Sequence, residues 1–469
     1  MNRLIYFFLV ILVIIKTPLL TGCANIIPPT GGLRDTLPPV LVKSMPDNYN
    51  LHFRGKIITF NFNEYIELNE INKNLIVSPV PKSDPRITSN LKTITVKLRD
   101  TLEPNTTYSL NFGRAIRDIN EGNVFKNFTY VFTTGPYIDS MQFSGKVILA
   151  ATGKIDSTLI VILHTKTDDS AVAKDRPRYF TNLDTGGNFV FRHIQPGTYV
   201  IYALKDESGQ KKYLTKTQSF AFADSPVVIQ QNNTPITLYA YEDTAGARIT
   251  KKTISKTGAA KKTEKEKRLI VQLNLPSGQL DLLSTLEMQF QTPLKFFDSS
   301  KVRFTDENFK DITQFYYAED SNRKKITIFY NWVMDTKYHI IASKEFAEDT
   351  LGGKLLKTDT ISFKTKKESD YGSVRLRFIN LDLKKNPVLQ FVQSDAVKEA
   401  YIFGSSNIYF KKLFVPGDYE LRILYDDNKN GVWDPGEFFN KHKQPEKVKP
   451  IRQKLTVKSN WDNETDIVL

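Results

Sequence analysis

A chain of 469 residues with 40% hydrophobic and 12% aromatic content can fill several packed cores, which excludes a wholly disordered polymer. The formal charge of +14 would suit nucleic acid, but Lys251, Lys252, Lys256, Lys261, Lys262, Lys265, Lys267 and Arg268 face only Glu264 and Glu266 in one short stretch, so much of the excess belongs to a linker. A single cysteine, Cys23, excludes any disulfide within the chain.

The chain opens with Arg3 ahead of an apolar run from Leu4 to Ile15, twelve residues that Lys16 and Pro18 then interrupt. Crossing a bilayer takes ~20 apolar residues, so residues 1–22 read as a signal peptide rather than a permanent span. Leu20-Thr21-Gly22-Cys23, directly behind that run, resembles the lipobox of bacterial lipoproteins, in which the mature chain begins at the cysteine. That resemblance implies a diacylglycerol on the Cys23 sulfur, loss of the leader and an N-acyl lipid on the new terminus. Each buried methylene contributes ~0.8 kcal/mol, so several acyl chains make a durable anchor to the lipid bilayer. The expected location is the outer membrane, and no run of Asp or Glu follows Cys23 to choose between its periplasmic and outer faces. Export also argues against a nucleic-acid partner. Residues 23–37, with Pro28-Pro29 and Gly31-Gly32, read as a tether.

Residues 38–136 carry short runs of period two. Ile58, Phe60 and Phe62 alternate with Thr59 and Asn61, Ile94, Val96 and Leu98 alternate with Thr95 and Lys97, and Tyr108, Leu110 and Phe112 share one face, as do Phe128, Tyr130 and Phe132. Half-buried strands with turn residues between them predict a sandwich. Leu102 to Tyr108 resembles a tyrosine corner. With Phe60 to Glu64, Asp118 to Asn123 and Phe132 to Gly135, it resembles the bacterial Ig-like domain of the S-layer SbsA type.

Residues 137–243 open on Phe143 to Val147, continue through the apolar strand Leu159 to Leu163, and pass Gly187 to Phe191 before Pro196-Gly197-Thr198-Tyr199. This order resembles the prealbumin-like module found beside carboxypeptidases, which implies Tyr199 and Ile201 on the inward face, opposite Val200 and Tyr202. The basic segment 244–267 lacks periodicity and is expected to be a flexible linker.

The same order then recurs. Leu286 to Phe290, Asp335 to Tyr338 and Ile361 to Thr365 repeat the Ig-like motifs at an offset of 228 to 231 residues, and Pro416 to Tyr419 repeats Pro196 to Tyr199 at an offset of 220. Residues 268–367 are thus expected to be a divergent second Ig-like domain and 368–469 a second prealbumin-like domain. Helical periodicity is confined to Asn69 to Leu75 and Asp395 to Ala400, too short to matter. The expected fold class is all-β, tandem β-sandwich modules with an Ig-like and prealbumin-like pair duplicated.

One motif carries chemistry. Asp426 to Glu437 fits D-x-[DN]-x-[DN]-G-x5-E, the spacing of a calcium loop in which hard oxygens converge around a glycine bend. Asp426, Asn428 and Asn430 would give side-chain oxygens, Val432 its carbonyl, Asp434 a direct or water-bridged oxygen, and Glu437 two. The flanking strand before it and Pro435-Gly436 inside it depart from an EF-hand, so the alternative is an Asx-rich turn that satisfies its own backbone. Asp206 to Gly209 lacks the later ligands, leaving a single candidate Ca2+ site.

Catalysis finds no motif: His52, His164, His193, His339 and His442 show no paired metal spacing, though His164 and His193 could meet across a sheet. Trp332, Trp433, Trp461 and the Phe438-Phe439 pair are either glycan-stacking rings or core. Aspartates directly before Ser or Thr, as in Asp35-Thr36-Leu37 and Asp349-Thr350-Leu351, resemble an O-glycosylation sequon and are also usual turn openings. The expectation is a non-enzymatic, membrane-anchored envelope scaffold or adhesion protein with envelope polysaccharide or other envelope proteins as partners. The alternatives are a glycan-capturing surface lipoprotein or a hydrolase.

Overall fold

The computed structural model describes residues 34–231, 233–243, 268–439 and 441–469. Cys23, the leader 1–22, most of the tether and the basic segment 244–267 lie outside the described residues. The described chain is all-β, in tandem sandwiches, with two one-turn helices, Ile71–Asn74 and Ala171–Lys174, and four short 3-10 turns. None of its helices is long and apolar enough to cross a membrane. It divides into two compact units, one ending at Met141 and including Arg192–Gln195, the other holding Gln142–Phe191 and Pro196–Leu469.

In the first unit, Leu41–Met45, Ile57–Phe62, Thr93–Lys97 and Arg86–Asn90 form one sheet, and Thr129–Thr133, Thr107–Asn111 and Ile76–Ser78 form another. The alternation in Ile57–Phe62 buries Ile58, Phe60 and Phe62, as a two-residue period requires. Phe60 meets Phe112, Phe128 and Tyr130 edge-on at 5.6, 5.1 and 5.1 Å, the geometry that ring quadrupoles favour.

The corner Leu102 to Tyr108 closes as its residues imply: the Tyr108 hydroxyl accepts the Glu103 N–H at 2.8 Å. Thr134 Oγ1 donates to the Glu103 carbonyl at 2.7 Å and accepts the Thr106 N–H at 3.0 Å. The third sandwich repeats every one of these bonds. Tyr338 accepts the Val333 N–H at 3.3 Å, and Thr365 Oγ1 donates to Val333 O at 2.6 Å and accepts the Thr336 N–H at 2.9 Å. Asn105 and Asp335 both stand at positive φ, 48° and 52°, where short polar side chains are tolerated. Asp118 and Asp349 are likewise buried turn carboxylates; the Asp118 oxygens accept the N–H groups of Glu121, Gly122 and Asn123. Burial raises the proton affinity of Asp118, but those N–H groups outweigh it and hold its pKa below the usual value.

In the second unit, residues 268–367 pair Val271–Leu273, Leu286–Phe290, Lys325–Phe329 and Tyr316–Glu319 in one sheet, and Gln279–Leu280, Asp359–Thr365, Lys337–Ala342 and Val302–Asp306 in another. The sandwiches flanking it share one topology. Met141–Leu149 runs parallel to Ile236–Ala240, as Gly372–Ile379 does to Asp462–Val468. Their facing sheets are Tyr179–Asn182, Leu159–His164, Gly197–Lys205 and Phe220–Phe222, and Ala396–Ile402, Pro387–Gln393, Gly417–Tyr425 and Lys447–Val457. Tyr199 and Tyr419 occupy matching buried positions.

Asp395 to Ala400, whose helical pattern is too short to matter, enters the strand Ala396–Ile402, because Ser394 and Asp395, at φ 51° and 60°, form a tight turn that folds it back onto Pro387–Gln393. One expectation changes. Tyr202, expected on the outward face of Gly197–Lys205, is buried like Tyr199 because Phe438 packs against its ring.

Thr365→Val keeps the shape but strips partners from a buried N–H and carbonyl. It should cost about 1–3 kcal/mol, read as lost hydrogen-exchange protection in Lys337–Ala342. His164 is 2% exposed, its Nε2 has no hydrogen-bond partner among the described residues, and burial pushes its pKa down from 6.5 to about 4. The folded state therefore favours the neutral ring, so its contribution is full above pH 6.5 and is lost as pH falls towards about 4. Thermal midpoints should decline across that window by the equivalent of on the order of 3 kcal/mol, and His164→Phe should flatten the decline.

Candidate functional site

Strand Gly417–Tyr425 delivers Asp426 into the interior, 1% exposed. Its Oδ1 accepts the N–H groups of Lys429 at 2.7 Å and Asn430 at 3.3 Å, and its Oδ2 accepts that of Gly431 at 2.6 Å. Lys429 and Gly431, at φ 62° and 78°, supply the bends. Asn428 Oδ1 accepts the Asn430 N–H at 3.1 Å and Asn430 Oδ1 the Val432 N–H at 2.7 Å, a chain of Asx turns. Both asparagine amides donate to Asp434 Oδ2, that of Asn430 at 2.9 Å.

Asp426, Asn428, Asn430 and Asp434 thus converge. Val432 projects outward, 64% exposed, and the Glu437 side chain pairs with Lys441 at 2.7 Å while its backbone exchanges two bonds with Lys443. Glu446 joins from outside the motif. It is 2% exposed, with Oε1 accepting the Asp427 N–H and Oε2 the Asp434 N–H, both at 2.9 Å, while its carbonyl accepts from Trp433 Nε1 at 2.8 Å. Burial pushes the Glu446 pKa up, with Asp426 and Asp434 adding to the effect. Among the described residues, none of these three carboxylates has a Lys or Arg partner. The motif spacing did not reach Glu446; the available signal was that it is the one acid between Lys441 and Lys454. No group of three or more His, Cys, Asp or Glu among the described residues forms a preformed metal cage.

Beyond the loop the chain becomes an arm that docks on the sandwich of residues 142–243. Phe438, 4% exposed, packs against Tyr202, Phe220 and Phe222 at ring separations of 5.4, 5.2 and 5.0 Å. It covers the outer face of Gly197–Lys205, which is why Tyr202 is buried. Gln444 Nε2 donates to the Phe222 carbonyl at 3.0 Å and to Asp224 at 2.8 Å, and His442 Nε2 lies 2.7 Å from Asp169. Gly436 permits the approach, since a Cβ there would lie 2.7 Å from the Tyr241 ring. Further along, the Val448 N–H donates to Ala150 O at 2.9 Å. Gly153 is equally constrained: its φ is 67°, and a Cβ would lie 2.2 Å from Pro450 and 2.8 Å from Val448 O. Lys154 reaches Asp395 at 2.7 Å and Glu420 at 3.4 Å, and the buried Arg422 pairs with Glu420 at 3.1 Å.

The other singled-out side chains fall mainly into cores. Trp332 packs on Phe304, Tyr330, Tyr338 and Phe363, whereas Trp461 is 62% exposed beneath the Lys458 ammonium. His193 Nδ1 lies 3.1 Å from the Asp139 carbonyl, and His339 stacks on Phe309 at 4.3 Å.

Phe438→Ala should lower stability by about 3–5 kcal/mol and reduce amide protection in Gly197–Lys205, although that strand lies in another sandwich. Val432→Ala, on the exposed side of the same loop, should stay within about 0.5 kcal/mol.

Residues 35–134 match the family model of the bacterial Ig-like domain. No curated protein matches the chain. Among solved structures, the chain is similar to BcpA, the major pilin subunit of Bacillus cereus, at 9% identity and a TM-score of 0.17, over 70% of this chain and 99% of that one. The Bacillus anthracis TIE protein gives 9% identity and 0.16 over 94% and 75%, and the N-terminal part of the bacterial S-layer protein SbsC gives 17% and 0.16 over 42% and 42%. At these TM-scores the likenesses carry no argument.

Proposed function

We propose that this chain is a non-enzymatic protein of the cell envelope, held to the outer membrane by acyl chains on Cys23, and that it serves as a spacer and binding scaffold. The observation that carries this reading is the locked joint: Phe438, Gln444 and His442 of the last sandwich grip the sandwich of residues 142–243, so binding surfaces are displayed at a fixed spacing. The Ig-like segment 35–134 supports it, because such sandwiches supply length and loops rather than reactive groups. The full chain should incorporate labelled palmitate and fractionate with membranes, and Cys23→Ser should lose the label and turn soluble. A wild-type chain that takes no label would remove the anchor. Protease accessibility on whole cells decides which face of the membrane it occupies.

A second reading concerns Ca2+ at the loop of Asp426, Asn428, Asn430, Val432, Asp434 and Glu437. It is favoured by three carboxylates, Asp426, Asp434 and Glu446, that have no Lys or Arg partner among the described residues, and by the raised proton affinity of Glu446, which comes from burial first and from Asp426 and Asp434 in addition. The donors in reach are all carboxylate, amide or carbonyl oxygens, the chemistry that calcium takes. Bound there, the ion would neutralise the cluster and stiffen the start of the arm. Saturating CaCl2 should raise the thermal midpoint by mass action on the folded state, and a chelator should reverse the rise. An unchanged midpoint would remove calcium and leave the self-satisfied Asx turn.

A further inference from the structure

Where the arm joins the two sandwiches, the joint leaves a cleft of about 580 Å³, within the range of ligand sites of ~300–1,000 Å³. Tyr239 stands on the wall from residues 142–243, and Tyr425 on the wall from the last sandwich. Lys385, Lys447 and Lys449 line the same space, with the exposed Asp427 as the only acid among its described lining residues. The Lys447 ammonium sits 4.5 Å over the Tyr239 ring and that of Lys385 5.7 Å over the Tyr425 ring. Lys385 has a carboxylate at 3.7 Å in Asp382, but among the described residues Lys447 and Lys449 have none. Further along the same strand, Lys447–Val457, Arg452 and Lys454 are exposed and also without carboxylate partners among the described residues.

We infer that this cleft is a binding site for an acidic polysaccharide, one whose sugar rings carry carboxylates. Half-buried tyrosine side chains on opposite walls, together with Pro450, give the cleft apolar surface on which sugar rings can pack between the lysines. The lysines supply the charge complement to acidic groups repeated along a polymer, and the exposed cations beyond the cleft prolong that field. A bilayer surface is too broad to enter a recess between two domains, so anionic lipid does not fit. Neutral glycan leaves Lys447 and Lys449 unmatched. The walls are fixed before any ligand arrives, because Gly153 against Pro450 and Val448 N–H on Ala150 O set their separation. This deepens the scaffold reading by naming what is held, and its test is independent of the anchor.

The test is calorimetric titration of the full chain, purified in detergent, with oligogalacturonate, with the same oligomer methyl-esterified, and with poly-glutamate. Oligogalacturonate should bind, and Lys447→Gln with Lys449→Gln should weaken it at least about tenfold. The Lys→Arg pair should restore most of that loss, which a folding defect would not. Raising salt from about 0.05 to about 0.5 M should weaken binding as the screening length shrinks. The proposal is overturned if oligogalacturonate does not bind, if the glutamine pair leaves its affinity unchanged, or if the ester or poly-glutamate binds equally well. Any of these results leaves palmitate labelling and membrane fractionation untouched, so failure here is distinct from failure of the anchored scaffold.

Discussion

The insertion of Phe438 among Tyr202, Phe220 and Phe222 is the contact on which the second unit depends. A β-sandwich has two outer faces, and each normally meets water. Here one outer face of the sandwich of residues 142–243 is apolar, because Tyr202 and Phe222 would otherwise be solvated rings. The arm of the last sandwich supplies the missing layer. Burying a phenylalanine contributes ~1.5–3 kcal/mol, and Gln444 bonded to the Phe222 carbonyl and Asp224 fixes the direction from which the ring enters. Apolar burial gives the joint its strength, while directional bonds give it its angle.

That division of labour explains why both sides need glycine. Gly436 passes within contact distance of Tyr241, and Gly153 passes under Pro450, so a side chain at either position would push the backbones apart. The ion pairs around Lys154 are more exposed than the ring contact, Asp395 being 72% exposed, and are screened accordingly. They trim the orientation rather than hold it. Arg422 is the exception: a nearly buried guanidinium between Glu420 and Asp395 needs both partners, which ties the turn at Ser394-Asp395 to the same joint.

Patterns that repeat within a few residues are legible in the sequence. Ile58, Phe60 and Phe62 announce their buried face by period two, and Tyr108 and Tyr338 announce their corners through the residues just upstream. Of the six residues in the motif, Asp426, Asn428, Asn430 and Asp434 hydrogen-bond within one turn, whereas Val432 faces outward and Glu437 pairs with Lys441. Long-range partners were not legible. Glu446 reaches the loop from beyond the arm, and only the return of the chain onto Asp434 puts it there. The arm shows in the sequence only as the Phe438-Phe439 pair, because a ring destined for another domain looks in sequence like any core ring. At Asp395 to Ala400, where the helical pattern is too short to matter, a two-residue turn sets the strand pairing.

The single cysteine gives the arm its wider meaning. A chain whose only thiol stands at position 23 has no covalent means of joining one domain to another, however oxidising its surroundings. Sandwiches strung in tandem would then pivot at every connection, since interfaces between domains are small and polar by default. Substituting for a disulfide requires an element that leaves one fold, is buried in the next and returns, so that separating the two exposes an aromatic core. Glu437 to Lys447 does this, departing from the Asx loop and returning at Glu446 to close it. Loop, arm and cleft are therefore one device: the loop sets where the arm leaves, the arm sets the distance between the walls, and the walls bring Tyr239 and Tyr425 onto one recess.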